Sequence, residues 1–210
     1  MLITSHMVWG YVLGKAAARG RKSDLNILLL LLAGGLPDFD LFARQPAGTL
    51  FGHHGISHSW LVIGLLAIPF FYRFGRRTVP YFVAVIQHPI FGDLITNNIP
   101  LFFPFTLRGQ GFELFESNPL AAIGLEVLGF ALFLVYFSVS GDWKRRLESN
   151  YWNKLWLMLW FPVLALTIAE AVWYFEPTVV TTIYATYALI SSVGLIWACM
   201  FMAIRSFMRK

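Results

Sequence analysis

LNILLLLLAGGLPDFD, residues 25–40, sets twelve almost wholly apolar residues directly before a Pro-Asp-Phe-Asp turn. At 1.5 Å per residue that run rises about 18 Å, well short of a ~30 Å hydrocarbon core. The rest of the chain decides where such a segment sits. Hydrophobic residues make up 58% of the 210 and charged residues only 13%, and the mean hydropathy is +0.64. Soluble domains carry about 25% charged residues. Several further apolar runs approach 20 residues, so the sequence predicts an all-α, polytopic membrane bundle.

Seven apolar segments are expected, at 4–19, 25–36, 58–72, 79–92, 119–140, 155–175 and 179–204. Thr4 or Ser5 is expected to cap the first, and Gly10 and Gly14 give it a small-xxx-small face for close packing. A polar, Gly-containing loop is expected between the second and third segments. Pro89 is expected to kink or break the fourth, and an amphipathic loop follows over 93–118. Residues 1–118 read as the part that carries the chemistry. Residues 119–210 read as three helices packed on it, the whole forming one integrated domain.

The formal net charge is +5. A nucleic-acid partner is not expected, because the basic residues fall in clusters at 15–22, 73–77, 144–154 and 205–210, between apolar segments. The positive-inside rule puts all four on the cytoplasmic side without contradiction, with the N-terminus outside and the C-terminus inside. The first two segments are short enough to form a hairpin that does not fully span. Trp143, Trp152, Trp156, Trp160, Trp173 and Tyr174 read as interfacial belts. The first fourteen residues have no basic n-region, so no cleavable signal peptide is expected. A single cysteine, Cys199, excludes an intrachain disulfide and a cysteine metal cluster.

This orientation gathers the ionisable residues. His6, Asp38, Asp40, His53, His54, His58, His88 and Asp93 all fall at outer helix ends or in outer loops, and no histidine follows His88. Histidine with carboxylate suits Zn²⁺, Mn²⁺ or Fe²⁺. One or two such ions could activate water for attack at phosphorus. Ionisable groups at membrane depth are costly and mark function. Singly, each of these residues has an ordinary structural reading; their co-location is the argument. His54 and His58 would share a face if their stretch were helical, leaving His53 for a second metal or the substrate. Arg108 could bind a phosphate oxygen, so Asp38, His54 and Arg108 are the catalytic candidates. Glu126 and Glu170 could reach the site or pair with a neighbour, while Glu113 and Glu116 read as a solvated face. The same cluster could instead serve ion transport, metal sensing or a purely structural role.

Four ordered motifs carry a resemblance: SHMVWGYVLG (5–14), AGGLPDFD (33–40), FGHHGISHS (51–59) and QHPIFGDLIT…LFFPF (87–105). Together they resemble the YdjM-like inner-membrane family, described as membrane-bound metal-dependent hydrolases. The resemblance implies His6, Asp38, Asp40, His53, His58, His88 and Asp93 as the metal-site residues. The family is distantly similar to zinc-dependent phospholipase C and P1-type nucleases. That likeness implies phosphoester hydrolysis, for which a lipid or lipid-linked substrate fits a site at the membrane surface. Two positions depart from the family pattern. His54 stands where the family has Arg, which removes a phosphate-binding cation or adds a ligand. His88 and Asp93 are separated by four residues where the family has three. On a regular α-helix such a pair lies about 140° apart, so convergence requires a break at Pro89 or Gly92.

Overall fold

The computed structural model describes residues 1–18, 25–43, 49–144, 165 and 179–207. The sixth apolar segment, Glu170 and the aromatic residues from Trp152 to Tyr174 lie outside the described residues. So do the Arg19–Lys22 turn, most of the third basic cluster and the last three positions. The fold is helical: α1 (Ile3–Ala17), α2 (Ile27–Gly34), α3 (Trp60–Phe74), α4 (Val79–Gln87), α5 (Pro119–Val139) and α6 (Val179–Phe207), joined by shorter helical turns. An isolated antiparallel bridge pairs Ile99 with Gln110 inside the 93–118 connection.

α1 is the central helix and packs on α2, α4, α5 and α6. Its glycines permit this. A Cβ at Gly10 would stand 2.6 Å from Gly34 Cα of α2, and one at Gly14 would stand 2.7 Å from the Pro80 carbonyl oxygen of α4. The small-residue face read from the sequence is therefore the seam of the α1–α2–α4 unit. Met7, Tyr11, Leu28, Leu31 and Ala84 fill that unit, and Phe133 of α5 and Leu195 of α6 close its side.

The start of α1 differs from expectation. The cap residue is Leu2, in an extended conformation and without a side-chain cap, while Thr4 and Ser5 lie inside the first turn. Glu126 reaches across from α5 instead. Its carboxylate accepts from the Leu2 N–H at 3.2 Å and from Ser5 Oγ at 2.9 Å. A helix start leaves backbone donors without intrahelical partners and carries positive partial charge, so a buried carboxylate satisfies both needs. The far end of α1 is tied down by charge as well. Lys15 pairs with Asp142, which also accepts from Tyr11 Oη at 2.5 Å, and both charged side chains are fully buried.

The second segment is shorter than its apolar run. α2 has eight residues, and Leu36–Ala43 winds on as a 3-10 helix where a loop was expected. α5, with 21 residues and a mean hydropathy of 2.2, is the one helix among the described residues long and apolar enough to cross a membrane. Beside this apolar core, several ionisable side chains are buried and many large apolar ones are exposed. His6, Lys15, His58, His88, Glu126 and Asp142 are buried, whereas Leu65, Val135 and Trp197 are 65%, 61% and 66% exposed.

Candidate metal centre

Three chain segments deliver the site. The first is the 3-10 turn after α2. It buries Asp38 and leaves Asp40 half-buried two residues on.

The second is the loop before α3. It folds back on itself through backbone bonds from Gly52 N to Thr49 O (3.1 Å), Gly55 N to Gly52 O (2.9 Å) and Ile56 N to Leu50 O (3.0 Å). A Cβ at Gly55 would lie 2.3 Å from the Thr49 carbonyl oxygen, so this close return needs glycine. Only Ile56–His58 is helical, as a 3-10 turn, and His54 is left-handed with φ +63°. His54 and His58 therefore do not share a helix face. The loop brings them together differently, with ring centroids 5.0 Å apart and His53 4.0 Å from His54.

The third segment resolves the spacing between His88 and Asp93. α4 stops at Gln87, and His88–Asp93 forms a π-helix. A π-helix closes its turn from i to i+5, so residues that an α-helix would separate fall on one face. His88 Nε2 lies 3.2 Å from Asp93 Oδ2. Both residues are buried.

The geometry is tight. His88 Nε2 stands 3.1 Å from Asp38 Oδ1, and His58 Nε2 stands 3.4 Å from both Asp38 Oδ1 and Asp93 Oδ2. Four ligand atoms thus form a ring with edges of 3.1–3.4 Å. Ligands about 2.0–2.1 Å from a tetrahedral Zn²⁺ would be spaced by about 3.3 Å. His6 joins from α1, its ring stacked on His88 at 3.4 Å and its Nε2 3.2 Å from Asp93 Oδ1.

The surrounding hydrogen bonds fix the orientation of these groups. His88 Nδ1 donates to the Gly34 carbonyl at 2.8 Å. Its Nε2 then points at two carboxylate oxygens, and only a proton or a cation between them makes that arrangement favourable. On the other flank His58 Nδ1 is 3.1 Å from Asp40 Oδ2, and Asp40 also meets His53 Nδ1 at 3.0 Å and Ser57 Oγ. Carbonyl and carboxylate partners behind ligating histidines are the usual second layer of a metal site. His6 Nε2, His58 Nε2, Asp38 Oδ2 and Asp93 Oδ2 are buried without a hydrogen bond. Such atoms are rare because each costs the desolvation of a polar group. A cation among them would repay that cost, so the donor set fits a divalent metal.

The loop electrostatics agree. Burial pushes the Asp38 carboxyl up, but the His88 imidazole and hydrogen bonds with His58 and His88 outweigh it and hold Asp38 well below the usual carboxylate range. Burial opposes ionisation of Asp40 too, yet its bonds with His53 and His58 bring it down to about 2. Burial also works against a charged His58, but the adjacent Asp38 and Asp40 carboxylates raise it above the ordinary histidine value. His54 goes the other way: burial lowers it to about 3 against the pull of Asp93.

The structure thus brings together His6, Asp38, Asp40, His53, His54, His58, His88 and Asp93. It does not bring Arg108 to them. Arg108 is exposed, its backbone N–H donates to Thr106 Oγ1 at 3.0 Å, and none of the described side-chain contacts joins it to the histidines. Glu113 accepts from Asn98 Nδ2 at 2.7 Å, Glu116 is exposed, and Glu126 holds the start of α1. Sequence reasoning missed Ser57, Asn97 and the Gly34 carbonyl. Asn97 Nδ2 donates to Asp93 Oδ1 at 3.2 Å. Ser57 sits inside the quoted histidine motif and Asn97 is four residues from Asp93, so spacing could have flagged both; a backbone carbonyl carries no side-chain signal.

No curated protein and no solved structure matches the chain. The family model described as YdjM inner membrane protein matches residues 1–207, a span that includes every segment of the site. The chain therefore belongs to the YdjM inner membrane protein family.

Proposed function

We propose that the protein is a multi-pass, metal-dependent hydrolase of phosphoester bonds in a lipid or lipid-linked substrate. Its seven apolar segments cross or enter the inner membrane, with the N-terminus and the site outside and the C-terminus in the cytoplasm. The observation that carries the reading is the buried ring of His58, His88, Asp38 and Asp93, with edges of 3.1–3.4 Å and buried atoms that lack hydrogen bonds. The orientation is supported by charge placement. The histidines start α1 and α3, whereas Lys15 ends α1, and Arg73, Arg76 and Arg77 follow at the opposite end of α3.

The roles follow from the contacts. Asp38, His58, His88 and Asp93 would hold the ion, with His6 beside them. Zinc is the first candidate and manganese the second. When bound, the metal supplies an acidified water and a polarised phosphoryl oxygen. Asp40, held by Ser57 and His53, fixes the His58 ring. The Gly34 carbonyl fixes the His88 tautomer. Asp38 Oδ2, buried and without a hydrogen bond, is the best-placed carboxylate atom to take a proton from an attacking water.

The test is metal content by elemental mass spectrometry on detergent-purified protein, beside release of phosphate or phosphomonoester from vesicle lipids. Wild type should carry zinc or manganese and hydrolyse a lipid phosphoester. Asp38→Asn and His58→Ala should lose both. Hydrolysis that survives in either variant sinks the reading, and uptake of radiolabelled metal into proteoliposomes without hydrolysis replaces it with transport.

A further inference from the structure

We propose that the loop before α3 holds a second divalent cation on His53, His54 and His58, so that the centre is dinuclear and His54 is a metal ligand. The proposal rests on the hydrolase reading for its context and shares His58 with the ring of four, whereas His53 and His54 lie outside that ring.

One ion in the ring of four uses His58 and His88 and leaves three histidines unexplained. Two of the three have local geometries that ask for a ligand. His6 is fully buried, and neither ring nitrogen makes a hydrogen bond. His54 is half-buried, takes a left-handed backbone that favours glycine or asparagine, and makes no hydrogen bond or ion pair among the described contacts. A strained backbone at a functional loop is held by what surrounds it. Here the φ of +63° turns the imidazole onto its neighbours.

Two ions account for all five histidines. His6 and His88 lie on one flank, with Asp93, and offer ligand atoms within 4.8 Å of one another. His53, His54 and His58 lie on the other and do the same. The carboxylates stand between. Asp93 touches His6 and His88 at 3.2 Å and His58 at 3.4 Å; Asp38 touches His88 at 3.1 Å, His58 at 3.4 Å and His53 at 3.9 Å. A carboxylate that faces histidines of both groups is placed to bridge two ions, as in sites that clamp both oxygens of a displacement. Three imidazoles are a sufficient protein ligand set for zinc with an open position.

The experiment is zinc titration of the metal-free, full-length protein, with stoichiometry read by elemental mass spectrometry and calorimetry, and with cobalt(II) spectra as an independent readout. His54→Asn is the variant of choice because asparagine tolerates the left-handed backbone. Wild type should bind two equivalents. His54→Asn should retain one and weaken the second at least tenfold, with loss of one set of cobalt bands. His6→Ala should weaken binding of the other ion. His54→Asn that still binds two with unchanged affinity overturns the proposal, as does a wild type that binds one; in both cases the hydrolase reading survives. A wild type that binds none overturns both. Two equivalents in wild type with no phosphoester hydrolysis leaves the dinuclear centre and removes the hydrolase.

Discussion

His88 and Asp93 stand five residues apart and meet across one turn of π-helix, with His88 Nε2 3.2 Å from Asp93 Oδ2. Gly92, inside that turn, leaves room for the His6 ring. A Cβ there would lie 2.3 Å from His6 Cε1 and 2.6 Å from its Nδ1. Gly92→Ala should push the His6 ring off Asp93, and zinc affinity should fall by roughly tenfold or more. Zinc titration of the variant beside wild type checks this. Unchanged affinity would mean that the His6 ring is incidental to the ion's site.

Glu126 links the last helices to the site without touching a ligand. It is fully buried and accepts from Leu2 N and Ser5 Oγ, one residue before His6, while Tyr187 Oη donates to its backbone carbonyl at 2.8 Å. Hydrogen bonds to a charged group contribute about 1.5–3 kcal/mol. Glu126→Ala should therefore lower stability by about 3 kcal/mol. Glu126→Gln, which keeps an acceptor, should lose less. Thermal unfolding in detergent separates the two variants, and a Glu126→Ala variant as stable as wild type would show that the carboxylate does not anchor α1.

The sequence carried the helical class, the glycine seam of α1 and the gathering of histidines and aspartates, because each is written in side-chain chemistry at short spacing. Gly10 and Gly14 announce close packing by having no Cβ, and Asp38 and His58 stand out in apolar surroundings. What it hid depends on backbone choices with small energy differences. The π turn at His88 lies only one residue from α-helical geometry. The left-handed His54 has no glycine to mark it. The exchange of a Thr4 or Ser5 cap for Glu126 is a contact 121 residues long in sequence. Arg108 was assigned by loop position alone, and a loop position does not fix where a long side chain ends.

Lys15 and Asp142 supply a control at the other end of α1. Both are fully buried, and Lys15 Nζ also lies 5.4 Å from the Tyr11 ring centroid. Removing one partner of a buried pair costs about 3–5 kcal/mol, whereas replacing both with packed apolar residues is often neutral. Lys15→Met alone should lower the unfolding temperature sharply, and Lys15→Met with Asp142→Leu should recover much of the loss. Zinc stoichiometry should match wild type in the double variant, since neither residue reaches the histidines. A double variant as unstable as the single one would show that the pair is not the source of the effect.

In the pH dependence of the metal-free protein, comparison with His54→Asn isolates His54. Its folded-state pKa is lowered to about 3 from an ordinary 6.5. Between those values the unfolded chain binds a proton there and the folded protein does not, so stability falls as pH drops. The slope is about 1.4 kcal/mol per pH unit for one proton. The loop groups around it are silent in most of that window. His58 is raised above 6.5, so it is protonated in both states there, and its contribution is lost only as pH rises through its folded value. Asp40, lowered to about 2, is ionised in both states above about pH 4, and its contribution disappears as pH falls toward 2. Denaturant unfolding of wild type and His54→Asn from pH 4 to 6.5 should therefore differ in slope by close to one proton, with wild type the steeper. Parallel curves would mean that residue 54 is solvated in the metal-free protein and free to titrate as an ordinary histidine.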